Sequence, residues 1–287
     1  MNLISFVRIY RESTDFIMKK LLMLAGLIFL SGLAEAQTNV PFLLRFADSA
    51  GRKSTRERQQ AIRYCDSLNF PVRTESEGST TEVAGFVNGR LMYRTTHNLT
   101  AAATTSTSAV WTGGGTGLNL SGSGVTLGIW DGGSVRTSHQ EFGGRVTVKD
   151  GASSISGHAT HVAGTMIASG VDAQAKGMSP AASLWSNEWN SDVAEMAARA
   201  AEGLRFSNHS YGYITGWSYN YMGDSKWAWF GYEPWSTVTD MGFGYYDATA
   251  HDWDLVAFNA PEYLIVKSSG NDRGEGPSSQ PVEHWVY

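Results

Sequence analysis

Residues 54–71, STRERQQAIRYCDSLNFP, place Ala61, Ile62, Cys65 and Leu68 at helical spacing between Ser54 or Thr55 as N-cap and Pro71 as stop. A short helix is predicted there. Downstream, TTEVAGFVNGRLMYRTT sets Asn88-Gly89 between two β-rich runs, a strong short-range hairpin signal. Together they outline a small α/β unit over residues 37–98, near the size limit for independent stability. Residues 99–123 are low in charge and rich in Thr, Ser and Gly, and read as a linker or surface-hugging segment.

From residue 124 to 287 helix and strand periods alternate. Val125, Leu127 and Ile129 share one face of a strand that ends at Asp131. Val193, Met196, Ala197, Ala200 and Leu204 repeat at helical spacing, with Asp192 and Glu195 placed to cap the start. A further helix is capped by Thr249 and stops before Pro261, and the apolar run Tyr263 to Ser268 follows as a strand. Strands separated by helices predict an α/β fold: a mostly parallel sheet with helices on both faces, whose ligands lie beyond the carboxyl ends of the strands. Asp131 and Asn271 both fall at such ends.

Composition narrows the function. The net charge is −5 and the sequence pI is near 5.8, so the chain lacks the basic field that a phosphate backbone requires, and nucleic acid is not expected as a partner. Cys65 stands alone, which rules out an internal disulfide. Near the N-terminus, MKKLLMLAGLIFLSGLAEAQ joins two lysines, an apolar stretch from Leu21 to Leu30 and the small-residue site Ala34-Glu35-Ala36. It reads as a secretory signal peptide within residues 1–36, starting at Met18, which predicts a secreted protein with no stable membrane anchor after signal removal.

The chemistry centres on GHATHVAGTM, where His158 and His161 stand among small, uncharged residues. A strand-end aspartate can fix the tautomer of an imidazole and stabilise its charged form, so that the histidine serves as a general base towards a hydroxyl nucleophile. Zinc hydrolases more often show histidines at i and i+4 with a glutamate between them, which this stretch lacks.

Five segments resemble, in order, those of the subtilisin-like serine peptidases: GSGVTLGIWDGG, GHATHVAGT, AKGMSPAASL, SNHSYG and SSGND. The resemblance covers about residues 120 to 287. It implies a subtilisin-like fold and hydrolysis of protein or peptide substrates by an Asp-His-Ser triad. In that triad Asp131 orients the imidazole and His158 faces the reaction as the base, with His161 a structural neighbour on the helix whose burial the small residues permit, while Asn271 donates to the oxyanion. Ser210 and Gly212 are implied on the edge that pairs with an extended substrate backbone. Residues 37–98 stand where the family carries a propeptide. No cofactor is required for this chemistry; calcium is common in the family, but no carboxylate cluster here has a recognisable loop signature.

Three residues depart from the family pattern. Ala159 replaces a glycine and adds a methyl beside the imidazole, Gly132 removes a hydroxyl that would support the aspartate, and Trp130 requires a large neighbouring pocket. No Gly-Thr-Ser-x-Ala segment occurs, and Ser179, Ser278 and Ser279 read as turn and loop residues. The expectation is the front portion of a peptidase, inactive without its serine. The alternative is a non-catalytic secreted relative that binds peptide or glycan. Residues 211–263 hold sixteen aromatic residues, read as an insertion that packs largely on its own rings, with a role beside the cleft as the competing reading.

Overall fold

The computed structural model describes residues 37–286 except 77–78, 88–89, 97–104, 106, 173–174, 273 and 280–281. The segment read as a signal peptide, the tip of the Asn88-Gly89 hairpin and the first part of the segment read as a linker lie outside the described residues. The chain divides into Met1–Gln37 and one unit from Thr38 to Tyr287. Among the described residues no helix is long and apolar enough to cross a membrane.

The first helix, α1 (Val40–Leu68), starts fourteen residues before the expected cap. Asn39 caps it, its side chain accepting from the Phe42 amide at 3.2 Å, and Pro41 suits the first turn, where no helical donor is required. The helix ends at Asn69 in the left-handed conformation, two residues before Pro71. The expected stripe is half right: Ala61 and Cys65 are buried, whereas Leu68 is exposed. What the stripe omits is Leu43, fully buried one turn into the helix.

Strands β1 (Arg73–Ser76), β2 (Ser79–Val87) and β3 (Arg90–Thr96) form an antiparallel meander, with Val87 opposite Arg90 across the hairpin. Its fourth strand comes from far along the chain: β8 (Tyr211–Tyr213) pairs antiparallel with β3.

The central sheet contains β4 (Thr126–Asp131), β5 (Val146–Val148), β6 (Ser183–Glu188), β7 (Phe206–His209) and β11 (Leu264–Lys267) in the order β11-β7-β4-β6-β5. Every pair in it is parallel. Among the described residues four α-helices accompany the sheets: α1, α2 (Gly157–Ile167), α3 (Asp192–Ala201) and α4 (Ala248–Asn259). The alternation expected in β4 is absent at its end, where Gly128 to Asp131 are all buried, as a strand covered on both faces requires. One core joins Ile129 and Leu184 to Ala159, Val162 and Ile167 of α2. The other joins Trp130 to Met196 and Ala200 of α3, Val256 of α4 and Leu43 of α1.

Helix caps differ from expectation because tertiary partners claim the capping acids. Glu195 bonds Trp130, Asp192 bonds Arg94 while still accepting from the Val193 amide at 2.9 Å, and Ser191 takes the cap position without a side-chain cap bond. Asp247, not Thr249, caps α4, accepting from the Ala250 amide at 2.8 Å. In the aromatic segment β9 (Trp217–Tyr219) and β10 (Trp227–Trp229) form a small sheet with β12 (His284–Val286). Trp217 packs on Trp229 there, with ring centroids 4.9 Å apart. Trp235, Phe243, Tyr245 and Tyr246 remain exposed.

Candidate active site

Asp131 is the last residue of β4 and has no exposed surface. His158 is the second residue of α2, whose start is set by Ser156: its hydroxyl accepts from the Ala159 amide at 3.0 Å. This cap directs the first turn of α2 at the end of β4. His158 Nδ1 lies 2.8 Å from Oδ2 and 3.0 Å from Oδ1 of Asp131. The Gly132 amide donates to Oδ1 at 2.7 Å. Thus the backbone, assisted by the Ser156 hydroxyl, supports a carboxylate that has lost the family's neighbouring side-chain hydroxyl.

Burial pushes the Asp131 carboxyl above the usual aspartate range, against the opposing pull of His158, Gly132 and Ser156. With Asp131 ionised, Nδ1 carries the proton and Nε2 is left with its lone pair. His158 Nε2 is buried and has no hydrogen-bond partner among the described residues. An oriented imidazole whose second nitrogen has no partner can accept a proton from a hydroxyl placed beside it.

The departures from the family pattern are accommodated. Ala159 turns its methyl into the core beside Ile129 and Phe142. Trp130 stacks on His209, with centroids 5.1 Å apart, and donates from Nε1 to Glu195 at 2.9 Å. The expected burial of His161 is incorrect: it lies on the exposed face of α2, because a residue three positions from His158 need not share the narrow stripe that faces the sheet.

Trp130, His209 and Lys267 are aligned across β4, β7 and β11. Ser210 therefore adjoins Asp131 on the neighbouring strand end, and Asn271 follows four residues after β11 at the same end of the sheet. Asn271 is exposed. The Ser210 hydroxyl accepts from Asn208 Nδ2 at 2.8 Å. Gly212 lies opposite Thr95, so the edge expected to receive a substrate is paired with β3.

A buried polar chain runs behind this edge and went unnoticed in the sequence. Ser207 Oγ lies 2.9 Å from His209 Nε2, His209 Nδ1 3.0 Å from the Tyr211 hydroxyl, and that hydroxyl donates to Asp192 at 2.7 Å. Burial, with the charges of Lys267 and Arg94, holds the His209 pKa well below its ordinary value. The spacing S-N-H-S-Y carries a period-2 signal for Ser207, His209 and Tyr211 on one strand face, but not the identity of their partners.

Comparison with curated proteins gives no match. Among solved structures, the crystal structure of a cold adapted subtilisin-like serine proteinase aligns at 25% identity and a TM-score of 0.26, over 32% of this chain and 37% of that one. The chain thus spans little more than a third of that structure's length. The model of the subtilase family, peptidase S8, matches residues 122–284. That match takes in the whole parallel sheet, the Asp131–His158 pair and more than half of the sequence, and the chain belongs to the subtilase family.

Proposed function

We propose that this chain is the precursor portion of a secreted serine endopeptidase, exported by the signal within residues 1–36. Asp131 orients His158, and Nε2 takes the proton from the nucleophilic hydroxyl and returns it to the leaving amine. Asn271 donates to the oxyanion. The serine comes from a segment that these 287 residues do not include, and substrates are proteins or peptides that bind extended. The observation that carries this reading is the buried Asp131–His158 pair with its unpartnered Nε2.

Residues 37–98 serve as the propeptide. Support comes from β3, which lies along β8 where a substrate backbone would pair. The test is hydrolysis of an unstructured polypeptide by a serine-containing form, with the 287-residue chain as control. Turnover is expected only in the former, falling at least ~10³-fold in His158→Ala. Undiminished turnover in that variant would refute the assignment. Peptide binding without turnover would establish the non-catalytic relative instead.

A further inference from the structure

Arg94 of β3 is buried, and the side-chain partners that hold it belong to the other side of the edge. Its Nη2 donates to Asp192 Oδ1 at 3.0 Å, and its Nη1 donates to the Trp189 carbonyl. The guanidinium carbon lies 5.4 Å from the Tyr211 ring centroid and 5.6 Å from that of Tyr213. Asp192 is itself fixed, accepting from the Tyr211 hydroxyl with its second oxygen. The frame is therefore built by residues 189–213 and takes one side chain from β3.

The register gives that side chain a meaning beyond an ordinary ion pair. Arg94, Thr95 and Thr96 lie opposite Tyr213, Gly212 and Tyr211, so β3 runs towards Ser210 and the strand end that adjoins Asp131. A polypeptide laid on this edge in the same direction approaches the catalytic pair and projects one side chain between Asp192 and the two tyrosines. A carboxylate only 3% exposed is costly to leave uncompensated. A carboxylate beside a carbonyl also matches the planar fork of arginine better than the point charge of lysine.

We propose that Asp192, the Trp189 carbonyl, Tyr211 and Tyr213 form a guanidinium-selective subsite for polypeptide substrates, which Arg94 fills as an internal substrate surrogate. The inference rests on the peptidase reading for its substrate and on the β3–β8 register for its position. The preferred substrates carry arginine at the residue that pairs with Tyr213.

Two measurements test it separately from catalysis. In the 287-residue chain, Arg94→Ala opens the subsite, and millimolar N-acetyl-L-arginine N-methylamide should raise the Tm of this variant and not of the wild type. The leucine analogue should have no such effect. Equal responses to the two analogues would overturn the proposal; should Arg94→Ala fail to fold, Arg94→Lys with the same ligands replaces it. In the serine-containing form, replacing the paired arginine of a peptide by leucine should lower kcat/KM at least tenfold, and Asp192→Asn should reduce that discrimination. Turnover indifferent to the arginine would sink the subsite and leave the peptidase standing. Arginine-analogue binding without turnover of any peptide would retain the subsite and end the peptidase reading.

Discussion

Leu43→Ala probes whether α1 shares a core with β4, the strand that carries Asp131. Leu43 is completely buried, and its cluster includes Trp130, which directly precedes Asp131, together with Trp189, Met196 and Val256. Truncation removes three carbons, about 2.4 kcal/mol at about 0.8 per methylene. The large rings around it cannot collapse fully into the space, so a cavity contribution raises the loss to about 3–4 kcal/mol. For a chain of this length that corresponds to a Tm lower by about 6–16 °C. Leu44, its half-exposed neighbour, supplies the control: Leu44→Ala should change stability by less than about 0.5 kcal/mol. Urea unfolding followed by tryptophan fluorescence and far-UV circular dichroism reports both the loss and its cooperativity. Coincident transitions shifted together are expected. A loss below about 1 kcal/mol, or an early helical transition that leaves the tryptophan signal intact, would refute the shared core.

Two further predictions concern pH and backbone crowding. Burial first, then the Asp150 charge, pushes the Glu195 carboxyl up to about 8; the folded state then holds more protons than the unfolded one between about pH 4.5 and 8, and stability falls as pH rises through that window. Glu195→Gln keeps an acceptor for Trp130 without the charge, so its stability relative to wild type should rise by about 1–2 kcal/mol from pH 5 to pH 9 in urea titrations, a figure discounted for solvent screening; a pH-independent difference would refute the assignment. His209 acts oppositely: its lowered pKa makes the unfolded state the better proton acceptor below about pH 6.5, so its contribution is lost as pH falls. Gly177 passes beneath the end of α2, where an added Cβ would lie 2.7 Å from the Gly164 carbonyl oxygen and closer still to the Ala168 amide nitrogen. Gly177→Ala should therefore cost about 2–3 kcal/mol by thermal unfolding, and an unchanged Tm would show that the segment shifts freely.

The Asp131–His158 contact was readable because each half is local: a strand that ends in an acid, and a helix whose small residues admit close packing. No long-range information is needed to place Asp131 or His158 at an element's end, and the parallel sheet then brings the ends together. Asp192 and Glu195 show the opposite case. Both carry a correct capping signature, yet a cap bond contributes about 1 kcal/mol, and a buried guanidinium or indole left without its acceptor costs more. Trp130 therefore takes Glu195, while Asp192 serves Arg94 and still accepts from the Val193 amide of the first turn, and the helix starts at Ser191 without a side-chain cap. The same competition hid Leu43, whose burial depends on α3 and α4 nearly 150 residues or more away. It also hid the occupied edge at Gly212: the hairpin signal gives β2 and β3 each other as partners, and says nothing of the free side of β3. That side meets β8 only once the parallel sheet has placed Ser210 beside Asp131, so the occupation of this edge is determined by register between distant segments.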